Sequence, residues 1–133
     1  PKALEVAGLV LARQPPVDAA MQRTAWTVTG NAQFDTGRFA DAEGAYLQVQ
    51  SLLAPDDPEA PAITERLAAT IYKQGEARQA AGDAAGAVGD YLRVGRLAPG
   101  AAIVETAQFD AAMLLVSLKD WPQAIPVLES FRA

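Results

Sequence analysis

Neither cysteine nor histidine occurs anywhere in the 133 residues. Their absence removes disulfides, thiol nucleophiles, Cys/His zinc sites and histidine-based triads together. It also removes the Glu-x-x-His pair of a di-iron bundle. No run approaches the ~18 consecutive apolar residues of a spanning helix, so membrane insertion is not expected. Basic residues are few: 11 Lys and Arg stand against 16 Asp and Glu, for a net charge of −5, and they form no cluster. A nucleic-acid partner needs a basic stripe to displace counterions, so none is expected. The glycines do not follow a GxxxxGK[ST] phosphate-loop pattern. No cofactor or metal is implied.

What the chain does have is alanine, 29 residues of it, within a composition that is 50% hydrophobic and only 7% aromatic. That mixture suits close helix–helix packing, whereas sheets want β-branched and aromatic residues. The length is that of one domain with room for a core. A cysteine-free chain suits the cytoplasm and the bacterial periplasm alike. The opening "PKALEVAGLVLARQPP" lacks an initiating Met, and Glu5 and Gly8 interrupt its apolar run. It reads as the tail of a preceding unit, in a segment of a longer protein, rather than as a signal peptide.

An internal period organises the sequence. "GNAQFDTGRFADAEGAY" (30–46) returns as "GEARQAAGDAAGAVGDY" (75–91). A shift of 45 residues sets Gly30 on Gly75, Gly37 on Gly82, Ala42 on Ala87 and Tyr46 on Tyr91, and carries on to Val49/Val94 and Leu52/Leu97. A further shift of 37 sets Ala87 on Ala124 and "GDAAGAV" on "KDWPQAI". Each unit reads as two helices joined by a tight turn. After Pro15 and Pro16, Asp18 is placed to cap a helix over 19–36, Gly37 turns the chain, and 39–53 forms the second helix. Asp57 and Pro58 are placed to start the next, over 60–81; helices over 84–97, 101–118 and 121–132 follow. Residues 3–13 read as a helix of an earlier unit. The short loops make successive helices antiparallel.

The recurring residues have a packing logic. A small residue in the first helix (Gly30, Gly75, Ala112) lets its partner helix approach closely. Ala42, Ala87 and Ala124 lie where the two backbones come nearest, and Tyr46, Tyr91 and Leu128 fill the wider space one turn on. This arrangement resembles the tetratricopeptide repeat, through Trp26–Gly30, Ala42–Tyr46 and Pro55, then Ile71–Gly75, Ala87–Tyr91 and Pro99, then Gln108–Ala112 with Ala124–Leu128. The first spacing is 45 residues where the family's is about 34, and the large residue late in the first helix is displaced to Phe34. The expected fold is all-α: an α-solenoid of antiparallel helix-turn-helix hairpins. The resemblance implies a right-handed superhelix of about three repeats after a half-repeat, divided 1–16, 17–56, 57–99 and 100–133.

The resemblance also implies a concave wall lined by the first helix of each unit, on which a protein or peptide partner docks. Carried over position by position, that wall comprises Thr27, Asn31 and Phe34, then Tyr72, Glu76 and Gln79, then Phe109, Met113 and Val116. Phe34, Phe109 and Val116 suit inter-repeat core better than ligand contact, while Asn31, Tyr72 and Glu76 equally suit a solvated stripe. A subclass of the family grips peptide C-termini with paired lysines and asparagines. Asn31 matches one such asparagine, but Thr27 holds a lysine's place and Lys73 falls one position off the stripe.

Catalysis has little to stand on. Asp56, Asp57 and Glu59 are explained by helix capping, and Asp41, Glu43, Asp83 and Asp90 read as solvated helix faces. Ile125, Leu128 and Phe131 form an apolar stripe in the last helix, so self-association through uncapped solenoid ends is a further expectation. The functional expectation is therefore a non-catalytic protein-interaction module; the alternative is a structural spacer. The units "GDAAGAVGDYLRVGRLAP" and "LKDWPQAIPVLESFR" resemble those of bacterial cell-envelope assembly and cell-division coordinators. That implies a periplasmic or envelope setting, with the cytoplasm as the alternative.

Overall fold

The computed structural model describes residues 2–11 and 18–131. The breakers Pro15 and Pro16 and the expected boundary at residue 16 lie outside the described residues. Those residues form an all-α chain: α1 (Lys2–Leu11), α2 (Ala19–Asp35), α3 (Phe39–Leu52), α4 (Ala60–Ala80), α5 (Ala84–Leu97), α6 (Val104–Ser117) and α7 (Trp121–Ser130). Each helix packs chiefly on those before and after it in the chain. No described helix is long and apolar enough to cross a membrane.

The turns inside the hairpins are the same turn made three times. Arg38 N–H donates to the Gln33 carbonyl at 2.8 Å, Asp83 to Arg78 at 2.8 Å and Asp120 to Leu115 at 2.9 Å. Beside each, the preceding N–H bonds the carbonyl three residues back: Gly37 to Phe34, Gly82 to Gln79 and Lys119 to Val116. This pair of bonds is the Schellman ending, which satisfies carbonyls that the helix leaves open and needs a left-handed residue just past the helix. Gly37 (φ 78°) and Gly82 (φ 87°) supply that conformation without a Cβ; in the third turn Lys119 adopts it at φ 58°. The next helix then starts on a side-chain cap in two of the three units. Asp83 accepts from Gly86 N–H at 2.9 Å and Asp120 from Gln123 N–H at 3.3 Å.

Asp18 caps α2 through Met21 N–H at 2.9 Å. Asp57 does not cap α4: its carboxylate accepts from Glu59 N–H within a turn, and Glu59 precedes the helix with no side-chain cap. Pro58 accordingly lies ahead of the helix, and Pro61 occupies the early position where a missing N–H is harmless. Helix α6 begins at Val104 rather than 101, because Ala101–Ile103 form a turn in which Ala101 and Val104 N–H bond the carbonyls of Ala98 and Ala101.

One core runs through α3 to α7, with Tyr46, Leu67, Ile71, Tyr91 and Leu115 sealed among alanines 42, 87, 107, 111 and 124. Each sealed aliphatic side chain contributes about 1.5–3 kcal/mol. Phe34 from α2 packs on its edge.

Candidate functional site

Three helices meet around a cleft of about 480 Å³. Helix α4 brings Tyr72, Glu76 and Gln79, which recur at four and three residues and so share one helical face. Helix α6 brings Asp110 and Met113, and Tyr91 of α5 lies between them. The tyrosines pack ring to ring with centroids 5.0 Å apart at 41°. Tyr72 donates its phenolic hydrogen to Asp110 Oδ2, and Tyr91 donates to Gln79 Oε1 at 2.7 Å. The cleft is thus built on hydrogen-bonded rings rather than loose side chains. The hydrogen bond to Asp110, together with burial, pushes the Tyr72 phenol far above its ordinary value of 10.0. Burial and then the Asp110 and Glu76 carboxylates raise Tyr91 as well. Lys73 reaches Glu76 at 3.5 Å from the adjoining surface.

The remaining wall residues go elsewhere. Phe109 is 52% exposed and meets Phe131 edge-on, with centroids 6.4 Å apart. Val116 is half-buried against the core. In the first unit, Thr27 donates back to the Arg23 carbonyl, and Asn31 is the acceptor for the Tyr46 hydroxyl at 2.6 Å. Phe34 sits against the core and meets Phe39 edge-on at 5.2 Å. Asn31 therefore orients a core tyrosine, and none of this trio lines the cleft.

Among the residues expected to pack the repeats, Gly30, Ala42, Tyr46, Gly75, Ala87, Tyr91, Ala112 and Ala124 are buried. Trp26 is half-buried and outside the main core, although Ile71, one period later, is sealed. Leu128 is 36% exposed.

The larger departure concerns charge. Glu43 and Asp90 are not solvated helix faces: their side chains are 13% and 8% exposed. Arg93 pairs with Glu43 at 2.6 Å and with Asp90 at 3.0 Å, while Arg78 Nε reaches Asp90 Oδ2 at 2.8 Å and Gln74 donates to Glu43. Burial alone would raise the Glu43 carboxyl, but hydrogen bonds from Arg93 and Gln74 hold it below its ordinary value. Donating to Glu43 raises Arg93 in turn. The repeat register carries the signal for this network. A shift of 45 lays Asp90 on Ala45 and Glu43 on Val88, both inward-facing positions. No such signal marks Asp110, which reaches Tyr72 from 38 residues away.

The densest acidic stretch is structural. Asp57 accepts from a backbone N–H and pairs with Arg23 at 3.4 Å, and Glu59 lies 3.7 Å from the same guanidinium. No protein-family model, curated protein or solved structure matches this chain.

Proposed function

We propose that the chain is a non-catalytic protein-interaction module of tetratricopeptide type, an α-solenoid that docks a segment of a partner protein on the wall formed by α4 and α6. The observation that carries the reading is the cleft itself. Tyr72, Glu76, Gln79 and Met113, taken from two units at positions the family uses for binding, converge on it. Two further features support a stacked-repeat arrangement. The Schellman turn recurs at shifts of 45 and 37, and alternate helices are bridged by side chains, α3 to α5 through Glu43–Arg93 and α4 to α6 through Tyr72–Asp110. The half-buried Tyr72 ring offers contact area at low entropic cost, as aromatic residues commonly do at recognition surfaces. The resemblance of the units favours the bacterial periplasm or envelope, with the cytoplasm as the alternative.

A second reading, the spacer that assembles through its ends, has its own observation. Ile125 and Leu128 on α7 are 51% and 36% exposed, whereas Val88 and Tyr91, one period earlier, are 4% and 1% exposed and belong to the core. At the other end Val6, Met21 and Val28 surround an apolar hollow between α1 and α2.

Capture from periplasmic and cytosolic bacterial extracts separates the two readings, using wild type, Tyr72→Ala/Met113→Ala and Ile125→Asp. A partner lost with the double variant and kept with Ile125→Asp is the expected result, and its extract of origin gives the compartment. Loss only with Ile125→Asp overturns the wall in favour of the ends.

A further inference from the structure

The two charged residues lining the α4–α6 cleft, Glu76 and Asp110, are both carboxylates, and they flank the paired Tyr72 and Tyr91 rings. A subsite for a peptide's terminal carboxylate would need cations here, so the charge is of the opposite sign. Gln79 adds a polar edge already engaged by the Tyr91 hydroxyl, and Met113 adds a polarizable apolar surface. The cation nearest by contact, Lys73, lies outside the lining and is about half exposed. Arg78, also on α4, turns away to Asp83 and Asp90.

An aromatic wall beside carboxylates is the combination that recognises a guanidinium. Its plane stacks on an aromatic face while its N–H fork donates to carboxylate oxygens. An ammonium, which is compact and strongly hydrated, gains less from the same surroundings. From the cleft's dimensions, the half-buried Tyr72 ring on its wall, which the sealed Tyr91 backs, and its charge, we infer that it receives the arginine side chain of an extended segment of the partner, with Glu76 and Asp110 as acceptors. The inference rests on the proposed docking function and specifies the chemistry of its ligand. Both phenols are held protonated beside the two carboxylates, so they add no negative charge of their own and leave the carboxylates as the cation's counter-charges.

The test is selection of random twelve-residue peptides displayed on phage against the wild-type protein. Recovered sequences are then resynthesised and their affinities measured by fluorescence anisotropy against wild type, Glu76→Gln, Asp110→Asn and Tyr72→Ala. Glu76 is about half exposed, and Asp110→Asn keeps an acceptor for Tyr72, so both isosteric variants are expected to fold. The expected peptides carry a fixed arginine. Each isosteric variant weakens them roughly three- to ten-fold, and replacing that arginine by uncharged citrulline has a similar effect. Recovery of neutral or acidic peptides that bind wild type and fail on Tyr72→Ala overturns the arginine subsite while leaving the docking wall intact. Arginine peptides indifferent to Glu76→Gln and Asp110→Asn also overturn the subsite, reducing it to general attraction by an acidic protein. Recovery of nothing from the wild type overturns both the subsite and the docking wall.

Discussion

Tyr91 rests its ring against the bare backbone of Gly75: a Cβ at that position would stand 2.6 Å from ring atom Cε1. Tyr46 meets Gly30 in the same way, at 2.8 Å. Both rings are almost completely sealed, so neither can swing aside. The contact explains why a helix interior keeps glycine, which costs about 1 kcal/mol relative to alanine there. Gly75→Ala should therefore destabilise the protein by about 1–3 kcal/mol, with overpacking outweighing the gain in propensity. Urea denaturation measures this directly. Tyr91→Leu in the same chain should recover part of the loss, since the third unit already pairs Ala112 with Leu128 at these positions. A neutral Gly75→Ala would mean that the helices do not hold this approach in solution.

That scaffold was legible in the sequence because glycine, alanine and tyrosine at fixed spacing leave few ways to pack a hairpin. The helices and all three hairpin turns follow from it. Charge was harder to read. Glu43 and Asp90 look like surface residues when each helix is taken alone; only the repeat register, laying them on Val88 and Ala45, turns them inward. Asp57 has the right type and nearly the right place for a helix cap, but the chain uses it one turn too early. At the candidate site, Tyr72, Glu76, Gln79 and Met113 share a helical face within α4 or α6, which spacing reveals. Asp110 shares the α6 face of Met113 at a spacing of three, but its hydrogen bond with Tyr72 spans 38 residues from α4 to α6, and no local pattern encodes that.

Lys119 offers a test of the turn. It takes the left-handed conformation at φ 58° where the other two units use glycine. A side chain there costs about 1 kcal/mol or more. Lys119→Gly should stabilise by about 0.5–1 kcal/mol, less what the freer unfolded chain takes back. Gly82→Ala should destabilise by about the same amount, since open space around Gly82 leaves backbone strain as the main cost. Thermal melts of the two variants should move in opposite directions. Movement in the same direction would remove the turn geometry as the cause.

The Glu43–Arg93–Asp90 network makes stability depend on acid. Glu43 titrates below its ordinary 4.5 in the folded chain, so its contribution is complete above about that pH and is lost as pH falls through the lowered value. Removing one partner of a largely buried pair leaves the other uncompensated, so Glu43→Gln and Arg93→Met should each cost about 1–3 kcal/mol at pH 7. The double variant should cost less than the sum of the two. Denaturation midpoints at pH 3 and pH 7 should also differ less in Glu43→Gln than in wild type. Additive losses, or an unchanged acid dependence, would show that the pair is not coupled in solution.

Tyr72 and Asp110 give the clearest spectroscopic handle on the cleft. The chain has 3 tyrosines, and all are shifted upward from 10.0. Ultraviolet titration should therefore show little phenolate near pH 10 while the protein stays folded. A phenol raised in the folded state stabilises fully below its unfolded value, and that contribution is lost as pH climbs toward the folded one. Unfolding at high pH should accordingly coincide with a rise in phenolate absorbance. Asp110→Asn keeps an acceptor for the hydroxyl but removes the charge that opposes ionisation. It should bring Tyr72 down toward the ordinary value and Tyr91 down by less, and Tyr72→Phe should delete the component that moves most. If Asp110→Asn leaves the curve unchanged, Tyr72 does not donate to Asp110, and α4 and α6 do not close around the cleft as described.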